Sequence, residues 1–114
     1  MVKNKKYIPD RGDMVWLDFN PQLGHEQHGR RPALTVSFQS YNEKIGLAIF
    51  CPITSKIKGY PFEVEVIGKK INGCVLSDQI KSLDWTVRNI EFIEKIDNEK
   101  MDDVIGNIKL LIEK

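Results

Sequence analysis

The chain is poor in the residues that build metal centres, disulfide frameworks and membrane spans. Its 114 residues include two cysteines and two histidines. Cys51 and Cys74 sit inside apolar, strand-like runs, so buried thiols in a reducing cytoplasm are expected rather than a bridge. His25 and His28 are poorly spaced for metal ligation and have no further cysteine to join them, so neither a metal site nor a cofactor is expected. No apolar run approaches the roughly 20 residues of a membrane helix. The basic start, with Lys3, Lys5 and Lys6, has no apolar stretch behind it, and no secretory leader is expected. Net charge is also small, at +1. The balance is uneven, however. The first 70 residues carry an excess of four positive charges and the remainder an excess of three negative ones. A local basic surface attracts a polyanion even on a nearly neutral chain.

What is present suffices for one domain spanning residues 1–114. Hydrophobic residues make up 41%, enough for a real core. The first two-thirds read as short strands. Residues 14–19 are rich in Val, Trp and Phe, and 33–38 and 47–53 are apolar and β-branched. Residues 62–67 alternate apolar and charged, the pattern of a half-exposed strand. Residues 73–76 and 89–96 are weaker strand candidates. Turns are expected at 9–12, at Asn20 and Pro21, over 41–46 and 58–61, and at Asn72 and Gly73. Many short strands with frequent turns predict a small β-barrel. The end of the chain differs. Met101, Val104, Ile105, Ile108, Leu111 and Ile112 recur at helical spacing, which predicts a C-terminal amphipathic helix capped by Asp97 or Asn98.

One segment concentrates chemistry. Gly24, His25, Glu26, Gln27, His28, Gly29, Arg30 and Arg31, followed by Pro32, join two predicted strands. Loops held by rigid strands are where function tends to sit. A carboxylate, two imidazoles and two guanidiniums suit a phosphodiester. RNA is cut when its own 2′-hydroxyl attacks the neighbouring phosphorus and expels the 5′-oxygen. A protein must align the groups, neutralise the phosphoryl oxygens and handle two protons. Arg31, set at a strand mouth by Pro32, offers paired donors. Thr54 and Ser55 offer hydroxyls at a strand end, with Lys56 and Lys58 following. Glu26, His25 and His28 offer proton transfer. Each has a plainer role beside this one. Arg31 suits a surface pair with Glu26, Thr54 and Ser55 suit an ordinary turn, and loop histidines are often solvated bystanders. Trp16 and Trp85 suit a core or an interface, and Phe19 suits either core packing or a base stacked on its ring.

Together these motifs resemble the MazF/PemK toxins, the mRNA interferases of toxin–antitoxin pairs, from about Tyr7 through the last helix. The opening is carried by Pro9, Asp10, Gly12, Asp13, Trp16, Asp18, Phe19 and Pro21. The signature loop is carried by Gly24, Glu26, Gln27, Gly29, Arg31, Pro32 and Ala33. Pro52, Ile53, Thr54 and Ser55, then Lys58, Gly59, Tyr60, Pro61, Phe62, Glu63 and Val64, resemble the second active-site strand. Asp78, Gln79, Ile80, Lys81 and Ser82 resemble the late strand and turn.

The resemblance implies an SH3-like barrel, of the type shared with CcdB toxins, in a homodimer. It implies ribosome-independent, sequence-specific cleavage of single-stranded RNA without metal, leaving a 2′,3′-cyclic phosphate and a 5′-hydroxyl. It puts the catalytic arginine on Arg31, the threonine on Thr54 and the loop glutamate on Glu26. RNA contacts fall at Asp18, Phe19, Asn20, Lys58, Asp78 and Gln79, with Arg30, Ser55 and Lys56 beside them. An antitoxin with an acidic, disordered tail is the implied protein partner. A guanidinium with a pKa above about 12 is a poor base. Arg31 is therefore expected to stabilise charge, with the proton taken by Glu26, His28 or water. Two other classes share the fold: a topoisomerase-poisoning toxin acting through its last helix, and an inactive RNA- or protein-binding barrel.

Overall fold

The computed structural model describes residues 6–19 and 29–113. Seven strands make one antiparallel sheet that curls into a half-barrel. They are β1 (Asp13–Asp18), β2 (Arg30–Thr35), β3 (Leu47–Thr54), β4 (Glu63–Ile67), β5 (Asn72–Leu76), β6 (Lys81–Asp84) and β7 (Glu91–Lys95). The order is β4-β5-β3-β2-β1-β7, with β6 also on β3. Strand β3 is long enough to serve both halves. Its first part pairs with β2 and β6, and its last residues, Ile53 and Thr54, pair with β5. Among the described residues two α-helices, α1 (Gln39–Ile45) and α2 (Asn98–Ile112), and a short 3₁₀ helix at Trp85–Val87 complete the fold. The barrel with a C-terminal helix expected from the sequence is the architecture found.

Strand alternation sorts the core. Met14, Leu34, Cys51, Ile53 and Val75 line one face and pack with Met101, Val104 and Ile108 of α2. Val15, Leu17, Ala33 and Phe50 face the other way and pack with Trp85. The apolar rhythm read in α2 holds through Ile108, but its last turn overhangs the sheet, leaving Leu111 and Ile112 exposed. Asp97 is the N-cap residue, without a side-chain capping bond. Cys51 and Cys74 are buried free thiols.

Two local readings are corrected. The expected turn over 41–46 is helix α1, ended by Gly46 in the left-handed conformation, with φ of 82°. This helix has no apolar face to read in the sequence. It is held by the buried Asn42, whose Nδ2 donates to Pro9 O at 2.8 Å and Ser37 O at 3.1 Å, and whose main-chain carbonyl accepts from Trp85 Nε1 at 3.0 Å. Asn72 and Gly73 do not form a turn either. The turn lies just before them, closed by Gly68 N–H on Ile71 O at 2.8 Å, and they begin β5. Gly73 is needed for close approach: a Cβ there would lie 2.5 Å from the Thr54 carbonyl oxygen.

Candidate active site

Sheet register brings the predicted arginine and threonine together. Across β1 and β2, Leu17 faces Arg31, Trp16 faces Pro32 and Asp18 faces Arg30. Across β2 and β3, Ala33 faces Pro52. Continued by two residues, that register sets Arg31 opposite Thr54, and the pleat puts both on one sheet face. The two residues line a groove of about 570 Å³ with Ser55 and Lys56. The far wall is the segment Lys70, Ile71 and Asn72, and Trp16 and Pro32 close the near side. Among the described residues, this lining has three cations, Arg31, Lys56 and Lys70, and no carboxylate. Such a surface suits a phosphodiester backbone.

The threonine is pre-oriented. Its Oγ1 accepts the Lys56 backbone N–H at 3.1 Å, a local hydroxyl turn that leaves the hydroxyl proton free to donate. The adjacent arginines are separated by strand alternation. The Arg30 guanidinium is paired with the Glu91 carboxylate and stands 5.7 Å from the Trp16 ring centre. Arg31 is exposed, and among the described residues no ion pair engages it.

The other predicted residues divide into two groups. Lys58, Asp78 and Gln79 do not line the groove. Tyr60 donates to Asp78, and the loop around Lys58 is folded onto Glu63, whose carboxylate accepts Lys58 N–H at 3.0 Å and Gly59 N–H at 2.8 Å. Those backbone bonds, the Lys58 one foremost, hold the Glu63 carboxyl below its ordinary range. Asp18 and Phe19 lie at the end of β1. Asp18 Oδ2 accepts from Asn89 Nδ2 at 2.9 Å, while Phe19 sits on the Leu17 face with Lys81 Nζ 5.6 Å from its ring centre. Glu26, His28, His25 and Asn20 lie outside the described residues.

Sequence reasoning missed Lys70, Ile71 and Asn72 as groove residues and assigned Trp16 only to a core or an interface. Trp16 is 38% exposed. A visible signal for the far wall was the lysine pair beside a turn, Lys69 and Lys70. Cys51 is a buried nucleophile without a role in this groove; burial first, and Asp78 second, push its thiol up to about 12, so it stays protonated at neutral pH. No helix among the described residues is long and apolar enough to cross a membrane.

Comparison with known proteins gives consistent matches. The family described as PemK-like, MazF-like toxin of type II toxin–antitoxin system matches residues 10–112. The endoribonuclease toxin MazF of Escherichia coli K12 is 40% identical over 107 residues, covering 94% of this chain and 96% of that protein. A crystal structure of MazF from Deinococcus radiodurans (form I) superposes with a TM-score of 0.85 at 44% identity, covering 96% of this chain and 100% of that one. The MazF of a MazE–MazF complex from the same organism (form II) gives 0.85 at 39% identity, with 95% and 98% coverage.

Proposed function

Because the chain belongs to the PemK-like, MazF-like toxins of type II toxin–antitoxin systems, we propose that it is an endoribonuclease that cuts single-stranded RNA in the groove between Arg31 and Thr54. The carrying observation is that these two residues, distant in sequence, line one cation-rich groove. In this reaction the RNA 2′-oxygen attacks phosphorus and the 5′-oxygen leaves. The products are a 2′,3′-cyclic phosphate and a 5′-hydroxyl. Arg31 places paired N–H donors on the phosphoryl oxygens as charge builds, and Thr54 adds a hydroxyl donor. A guanidinium holds its proton at neutral pH, so the 2′-hydroxyl proton goes to Glu26, His28 or water, and the leaving 5′-oxygen takes a proton back from one of these acids or from water to become the 5′-hydroxyl. All steps use charge stabilisation and proton transfer, and none requires a metal ion.

Phe19, half-buried at a strand end beside Lys81, is suited to stack on a base. Asp18, Asn20, Lys58, Asp78 and Gln79 read neighbouring nucleotides, and Arg30, Ser55 and Lys56 attract the backbone. The protein works as a homodimer in the cytoplasm. Its activity is checked by an antitoxin of the MazE kind, the partner of MazF in the Deinococcus complexes. An acidic, disordered antitoxin tail would cover the same cationic groove that receives RNA.

The test is incubation of the purified protein with a long single-stranded RNA in EDTA. Discrete cuts are expected, and they should fall by at least about 100-fold in Arg31→Ala and clearly in Thr54→Ala. Intact RNA with folded wild-type protein would overturn the assignment. The base is tested separately by a pH–rate profile: an inflection near the histidine range that His28→Ala removes assigns His28, and a profile without it excludes His28.

A further inference from the structure

The far wall of the groove is held by a residue on the opposite edge of the sheet. Glu94 of β7 aims its carboxylate at the turn between β4 and β5. Its oxygens accept three consecutive backbone N–H groups: Lys69 at 3.1 Å, Lys70 at 2.8 Å and Ile71 at 3.0 Å. The fit is close, because a side chain at Gly68 would overlap the carboxylate. Among the described residues strand β7 pairs with β1 alone and β4 with β5 alone, so this contact spans the open seam of the half-barrel. On one side of the turn is a cavity of about 770 Å³ that contains Glu94 and Lys70. On the other side Lys70 lines the groove that holds Arg31 and Thr54.

We propose that Lys70 is a phosphate-binding residue of the RNA groove and that Glu94 is the positioning residue that presents it. This inference rests on the nuclease reading of the groove. Three N–H bonds to one carboxylate fix the turn backbone in one conformation, with Lys70 at its centre. The strap engages the Glu94 charge with the turn's own amides, while Lys70 lies close enough to feel that charge and still lines the groove. With Arg31 and Lys56 on the near side and Lys70 on the far side, a polyanion is gripped from both walls. Lys70 adds attraction for RNA throughout binding, while Arg31 acts on the charge that develops at phosphorus. Loss of Lys70 or Glu94 is therefore felt in KM, and loss of Arg31 in kcat.

The test uses the full-length protein and a defined single-stranded RNA. Lys70→Ala should raise KM about tenfold with kcat within about twofold, and should lower the salt slope of RNA binding by about one. Glu94→Gln keeps the side-chain size but turns an N–H₂ group toward the backbone donors. It should speed amide exchange at residues 69–71 and raise KM by a similar factor. The double variant should be no worse than either single one, because both act through the same lysine. If the wild type cuts RNA while both single variants keep its KM, the inference fails and the nuclease reading stands. If the wild type leaves RNA intact, the nuclease reading fails and this inference falls with it.

Discussion

At the scale of single residues, the chemistry rests on shape as much as on charge. Arg31→Lys keeps a positive charge but replaces a planar fork by a point donor. Single-turnover cleavage should fall about 100-fold, with RNA binding nearly retained. If Arg31 only attracted RNA, lysine would serve almost as well. Gly73 supplies a second check without altering any reacting group. Strand β5 approaches Thr54 so closely that a methyl group at Gly73 would collide with the Thr54 carbonyl. Gly73→Ala must shift Thr54 or open the β3–β5 pairing, so kcat should fall at least about tenfold while the far-UV circular dichroism stays close to wild type. A kcat equal to that of the wild type would mean that the position of Thr54 does not matter to the reaction.

At the scale of elements, the two helices are held by different forces. Helix α2 packs by its apolar stripe, Met101, Val104 and Ile108. Helix α1 hangs on the side chain of Asn42, which is fully buried. Asn42→Ala leaves the Pro9 and Ser37 carbonyls without that donor and should cost about 2–3 kcal/mol in urea unfolding. Leu111→Ala, on the overhanging turn of α2, should change stability by less than about 0.5 kcal/mol.

The same contrast explains what the sequence made legible. A period-two pattern marks β4 and a period-three-to-four pattern marks α2, because each buries one regular face, whereas β1 and β3, buried on both faces, show as apolar, β-branched or aromatic runs. Helix α1 was invisible because a hydrogen-bonded polar residue anchors it and no apolar rhythm surrounds it. Asn72 and Gly73 read as a turn, but the glycine serves strand contact instead. Arg31 and Thr54 were legible as chemistry from residue type and motif, and their meeting is a consequence of the β2–β3 register. The far wall was not legible, since Lys70 lines the groove from a turn whose backbone bonds run to Glu94 on β7, far away in the chain.

At the scale of the whole molecule, several carboxylates tie loops to the sheet, and their protonation is expected to weaken the fold in acid. Glu63, Asp84 and Glu94 are all held below their ordinary values. The chief causes are the Lys58 backbone N–H for Glu63, the Thr86 side chain for Asp84 and the Lys70 backbone N–H for Glu94. A carboxylate whose folded pKa is depressed contributes stability that is present above its unfolded pKa. That stability is lost as pH falls through the folded value. The urea midpoint should therefore be nearly flat from pH 7 to about 5 and drop below about pH 4, with a smaller drop in the Glu63→Gln/Glu94→Gln variant. A midpoint that fell equally in both proteins would assign acid sensitivity to other groups.

The central claim is that the attacking oxygen belongs to the RNA and that the protein supplies charge and geometry. It is tested most directly by replacing the 2′-hydroxyl with hydrogen at one mapped cleavage site. The account predicts that wild-type protein in EDTA skips that site, cuts the unmodified sites, and leaves cyclic phosphate and 5′-hydroxyl ends there. Continued cutting at the 2′-deoxy position would show that another nucleophile attacks phosphorus and would contradict the account.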